Sequence, residues 1–168
     1  DCTDGYGRRY VVTNLRVHGN TELRIPLHAV LWQADDVSLY RILPRFGHNV
    51  SMTGVNWPAN HSSGNYPLIY AFREENIRIT GGGTVRMADI ESRSVDGYFH
   101  YIGDNVCVGC QDRMHTIPIG LPECENVEVS DLNVIRSSAP YLILNAMKRV
   151  YIGNVRMDES KCTGADGM

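Results

Sequence analysis

Long apolar runs are missing from this sequence. No stretch approaches the roughly 20 apolar residues that a membrane-spanning helix needs, so no span and no membrane partner are expected. Charge of one sign is also scarce. Sixteen basic residues stand against 19 acidic ones, for a net charge of −3 and a pI near 6.1, which argues against nucleic acid as a partner. No basic, apolar leader opens the chain, which starts at Asp1 as a cut or mature N-terminus would, so the compartment stays open. A phosphate-cradling loop is absent too. Gly81-Gly82-Gly83 follows a strand pattern with no helix after it and reads as a tight corner. Cysteine is sparse and odd in number: Cys2, Cys107, Cys110, Cys124 and Cys162 cannot all pair within one chain. Cys107 and Cys110 form a CxxC, but no second pair has zinc-type spacing, so core-filling or free thiols are the expectation and no metal or cofactor is expected.

What remains is globular. Hydrophobic residues make up 43% and charged residues 21% of the 168 positions, enough for one domain with a core. The informative feature is a repeat. Glu22-Leu23-Arg24-Ile25, Asn49-Val50-Ser51-Met52, Asn76-Ile77-Arg78-Ile79, Asn105-Val106-Cys107-Val108, Asn126-Val127-Glu128-Val129 and Arg149-Val150-Tyr151-Ile152 share one alternating pattern. Their first apolar positions lie 21 to 29 residues apart. Alternation marks a strand with one buried face.

A second short strand follows a turn in most copies: Gly54–Trp57, Thr84–Met87, Leu132–Ile135 and Asn154–Met157. A third precedes three of them: Leu68-Ile69-Tyr70, Ile117-Pro118-Ile119 and Tyr141-Leu142-Ile143. No gap reads as the amphipathic helix a βαβ crossover needs. Few Asn-Gly type loops appear, against a sandwich of hairpins. The pattern predicts an all-β fold, a right-handed, single-stranded parallel β-helix in which equivalent strands stack about 4.8 Å apart. Asn49, Asn76, Asn105 and Asn126 share one position, and their amides are expected to stack at a coil corner. Residues 1–168 read as one β-helix domain with an irregular insertion at about 88–114. Repeat arrays need caps, and neither an N-terminal cap nor an end to the repeat is evident, so the chain reads as an incomplete set of coils.

Two longer runs carry a family resemblance. Pro67-Leu68-Ile69-Tyr70-Ala71-Phe72, followed by Glu75 through Val85, is similar to a run of the polygalacturonase-type glycoside hydrolases (glycoside hydrolase family 28). Cys124 through Val134, followed by Ser137-Ser138-Ala139-Pro140-Tyr141, resembles a second run of that family. Leu15 through Leu23 and Ala29-Val30-Leu31 resemble an early coil. The order of these segments favours this family over other pectin-lyase-like helices.

The resemblance implies a secreted or periplasmic glycosidase acting on a pectin-type polysaccharide. It implies one site residue in this chain. The family's first catalytic motif, Asn-Thr-Asp-Gly, falls where this sequence has Gly164-Ala165-Asp166-Gly167, so Asp166 and Gly167 match while the Asn and Thr are replaced. Glycoside hydrolysis generally needs two carboxyl groups. Asp166 would help position or deprotonate the water, and the family's other carboxylates would lie on later coils. The 168 residues alone are therefore expected to lack the full catalytic set, with the remaining C-terminal part of the same protein as a partner chain and a polysaccharide or oligosaccharide as substrate. The competing reading is a non-catalytic carbohydrate-binding or structural β-helix. A pectate lyase would need a basic residue beside Ca²⁺-binding carboxylates, and no such cluster stands out.

Other candidates read more plainly as structure. Asp35-Asp36 and Asp89/Glu91 are expected to be surface acids rather than a catalytic or Ca²⁺ pair. His18 and His48 fall at corners. Trp32 and Trp57 fall in strand patterns as packing residues, while Tyr98 and Tyr101 could stack on sugars. Asn49-Val50-Ser51 and Asn60-His61-Ser62 are glycosylation sequons, relevant only in a eukaryotic secretory route.

Overall fold

A corner that turns without a loop explains how this chain winds. The computed structural model describes residues 7–36, 39, 66–88, 116–137, 142–144 and 146–158. Within them Asn20, Asn76, Asn126 and Arg149 all hold φ between 51° and 58°. Asparagine visits this left-handed region more readily than other side chains, because its short amide bonds locally. Glu75–Thr80 therefore bends at its second residue and continues as strand, and so do Glu125–Ile135 and Lys148–Asp158. Left-handed residues also stand three positions earlier, at Arg73, Glu123 and Ala146, and five positions later, at Gly81, Asp131 and Asn154. The three later levels thus repeat one bend code.

Among the described residues eleven strands result: β1 (Arg8–Val12), β2 (Leu15–Arg16), β3 (Thr21–Arg24), β4 (Ala29–Gln33), β5 (Tyr66–Tyr70), β6 (Glu75–Thr80), β7 (Thr84–Arg86), β8 (Thr116–Gly120), β9 (Glu125–Ile135), β10 (Leu142–Ile143) and β11 (Lys148–Asp158). Every strand pairing is parallel. Among the described residues the one antiparallel contact is an isolated bridge between Pro26 and Gly82. The smaller sheet runs β10-β8-β5-β2, and the larger one carries β1-β4-β7-β9-β6-β3 with β11 on β9. Above the level of β1, each level of the stack contributes to both sheets, which is the parallel β-helix the repeat predicts.

The core is a set of columns. Ile77, Val127 and Val150 pair in register, as the alternation predicts. Beside them run Leu23–Ile79–Val129–Ile152 and Leu31–Val85–Val134–Met157. On the smaller sheet Leu15, Ile69, Ile119 and Leu142 form another. Ile77, Ile79, Val85, Ile69 and Ile119 are fully buried, each worth about 1.5–3 kcal/mol relative to exposure. In β5 and β8 successive residues are buried, from Pro67 to Ile69 and from Ile117 to Gly120, so the smaller sheet is covered on both faces.

Strand β3 bonds directly to β6, and β6 directly to β9. One expectation is corrected. The first coil slips by two residues: Leu23 pairs with Ile79, and Thr21 takes the position opposite Ile77. Asn49–Met52 and Asn105–Val108, expected as further coils of the repeat, lie outside the described residues. The proposed insertion at 88–114 lies outside them too, apart from Ala88.

Candidate functional site

The corner ladder positions the outward side chains. Asn76 Nδ2 donates to Asn20 Oδ1 at 2.8 Å, and Asn126 Nδ2 donates to Asn76 Oδ1 at 2.6 Å. The ladder is therefore Asn20–Asn76–Asn126, with Arg149 at the same corner of the last level. Arg149 instead reaches Glu125 at 2.7 Å. One position on from the buried Ile77 and Val127 and the exposed Val150, the alternation turns Arg78, Glu128 and Tyr151 outward, with Glu22 opposite Arg78.

These outward residues form a charged row. Arg78 Nε donates to Glu128 Oε2 at 2.8 Å, and its NH1 lies 3.5 Å from Glu22 Oε2. Thr80 Oγ1 donates to Glu22 and Ser130 Oγ to Glu128. The Arg78 hydrogen bond, and then that from Ser130, hold the Glu128 carboxyl below its usual range. Glu128 in turn raises the Arg78 guanidinium. Glu22 and Glu128 stand two levels apart, roughly 9.6 Å at about 4.8 Å per strand. That spacing is near the 6.5–9.5 Å of an inverting pair. Arg78 nevertheless occupies the space between them and, by lowering the proton affinity of Glu128, disfavours it as the acid.

A groove of about 700 Å³ crosses this face, lined by the 76–78, 126–128 and 149–151 segments of three consecutive levels. Tyr151 is 62% exposed beside it. Its ring lies against Gly153, where an added Cβ would fall 2.6 Å from Tyr151 Cζ and 2.8 Å from Cε1. Sequence reasoning passed over Tyr151. The signal was available: an aromatic at the outward position of an alternating strand, with glycine two residues on.

The named candidates separate as follows. Asp166 lies outside the described residues, as do Asp89, Glu91, His48, Trp57, Tyr98, Tyr101, both sequons and every cysteine but Cys124. Cys124 is buried and free, and burial pushes its thiol pKa up. Asp35 and Asp36 are exposed. His18 sits 3.5 Å from Glu74, which also accepts Gly19 N–H at 2.9 Å and pairs with Arg16. Trp32 is half-buried, with the Arg9 and Arg86 guanidinium groups 4.1 Å and 3.6 Å from its ring centroid. It packs, as expected. Gly81 and Gly82 hold φ of 122° and 81°, and an added Cβ at Gly83 would fall 2.5 Å from Ile25 Cγ2. The glycine run is a corner. Among the described residues no three His, Cys, Asp or Glu side chains converge as a metal site.

No family model and no curated protein sequence matches the chain. Solved structures do match it in shape. One is a putative glycosyl hydrolase from Parabacteroides merdae, at 18% identity and a TM-score of 0.62, covering 95% of this chain and 60% of that one. Another is a family 28 exopolygalacturonase from Yersinia enterocolitica, at 14% identity and a TM-score of 0.68, covering 96% of this chain and 34% of that one. The chain thus spans less than two thirds of either structure, and what it shares with them is the parallel β-helix fold.

Proposed function

We propose that this chain supplies coils of a secreted glycoside hydrolase acting on a pectin-type polysaccharide. The supporting observation is the fold itself, whose likeness to a glycosyl hydrolase and to an exopolygalacturonase extends over almost the whole chain. The Asp166-Gly167 pair adds the one carboxylate that the motif comparison assigns. In this reading Asp166 accepts a proton from water as the water's oxygen bonds to the anomeric carbon. The glycosidic C–O bond breaks, and a second carboxyl group protonates the leaving oxygen. That acid comes from coils beyond β11, in the same chain or in a complementing C-terminal chain. A parallel helix suits the reaction because carboxylates on adjacent levels fall about 5–10 Å apart.

The second reading, a non-catalytic carbohydrate-binding helix, draws on the row of Glu22, Arg78 and Glu128, where the cation between the acids favours binding over hydrolysis. Reducing-end release from polygalacturonate, with neutral polysaccharides in parallel, separates the two. The glycosidase reading expects release by the protein that carries the further coils and none by residues 1–168 alone. No release by either form on any polysaccharide leaves the binding reading.

A further inference from the structure

The groove beside Tyr151 has the composition of a sugar site. Its two banks are the corner row of Asn76, Asn126 and Arg149 and the outward row of Arg78, Glu128 and Tyr151. It runs across three levels, along the axis of the helix. Its volume of about 700 Å³ lies within the roughly 300–1,000 Å³ of small-molecule sites. Tyr151 presents a flat ring to solvent, and Gly153 is what lets the ring lie down. The equivalent positions one and two levels away are Ser130 and Thr80, and a side chain at 153 would lift the phenol from the sheet. An aromatic face supported by backbone on one side and open on the other fits the C–H face of a pyranose ring, with the phenol hydroxyl at its edge.

The polar groups around it are of the kind that fix a sugar. Asn126 Oδ1 ends the amide ladder, and among the described residues no donor reaches it, so it can accept from a sugar hydroxyl. Arg149 is 67% exposed and directs only part of its donor fork at Glu125. Charges along the face are balanced by pairing: Arg78 with Glu22 and Glu128, Arg149 and Lys148 with Glu125. Such a surface holds a polyhydroxylated ring without demanding a net ionic partner. We propose that the Tyr151–Gly153 platform, with Asn126 and Arg149, is a binding site for one stretch of a pyranose polysaccharide. The choice of galacturonate as first probe rests on the glycosidase reading; the site does not.

The experiment is a titration of the protein with trigalacturonate and, separately, with neutral galactotriose, followed by calorimetry and by amide shifts around residues 149–154. Saturable binding is expected. Tyr151→Ala should weaken it by about tenfold or more, about 1.4 kcal/mol. Gly153→Val keeps the ring but displaces it and should weaken binding in the same direction, whereas Tyr151→Phe should retain most of it. Both positions face outward, and circular dichroism confirms that each of the three variants is folded. Binding of galactotriose alone supports the platform while counting against a pectin substrate, so the two readings fail separately. Absence of saturable binding to either sugar, or equal binding by Tyr151→Ala, overturns the proposal.

Discussion

Asn126 donates its side-chain amide to Asn76 across adjacent levels at 2.6 Å, and both residues hold φ near 56°. One residue type thus meets two requirements at each corner, a left-handed backbone and an amide that reaches its neighbour.

Replacing Asn76 should separate those two contributions. Asn76→Ala loses two ladder hydrogen bonds, worth about 0.5–1.5 kcal/mol each, and places a Cβ-bearing side chain without local bonding in the left-handed region, which costs on the order of 1 kcal/mol. Asn76→Gly loses the bonds but accepts the backbone. Denaturant unfolding should rank wild type above Asn76→Gly, and Asn76→Gly above Asn76→Ala. Equal loss in both variants would mean the corner backbone contributes nothing.

Arg149 breaks the ladder at a corner with φ of 51°. Arg149→Asn removes an exposed ion pair to Glu125, worth about 0–1 kcal/mol. It gains a residue suited to the bend and a donor for Asn126. A small rise in Tm is expected, and a fall would show that the Arg149–Glu125 pair outweighs the corner.

Val127 and Glu128 are neighbours with opposite fates. Val127 is 2% exposed between Ile77 and Val150, so Val127→Asp buries an unpaired charge and should cost several kcal/mol, enough to unfold the chain. Glu128→Lys sets an ammonium against Arg78 and frees Ser130. It should lower Tm only modestly, and less at high salt. Comparable losses would show the alternation to be misread.

Acid should loosen the outward row and the corner at Glu74. Glu128 and Glu74 both sit below the usual value of 4.5, Glu128 chiefly through Arg78 and Glu74 chiefly through the Gly19 N–H. A carboxyl depressed in the folded state stabilises fully above its unfolded pKa, and that stability is lost as pH falls through the folded value. The decline should therefore begin below about pH 4.5, and Glu128→Gln should flatten part of it. An unchanged profile in that variant would remove Glu128 from the account.

Much of the fold was legible. The strand pairs in 75–86, 125–135 and 148–158, the third strands at 66–70, 116–120 and 142–143, and the parallel stacking all follow from alternation, spacing and the scarcity of hairpin turns. The register of the first coil was not. Following the apolar Leu23 led two residues astray, whereas Asn20, after Gly19 at the bend, carried the true alignment with Asn76. The corner residue is the better register mark, because its backbone conformation is rarer than an apolar side chain. At the site, Asp166 came from motif comparison alone, while the Arg78 bridge between Glu22 and Glu128 needed the stacking order, which no linear pattern supplies.

The glycosidase reading meets its most direct test at Asp166. The measurement is steady-state hydrolysis of polygalacturonate by the protein carrying the further coils, as wild type and as Asp166→Asn. Loss of the water-activating group should lower kcat by about 10²–10⁴-fold with little change in KM, because the missing interaction belongs to the transition state. Full activity in the Asp166→Asn protein would contradict the account and return Asp166-Gly167 to being a turn.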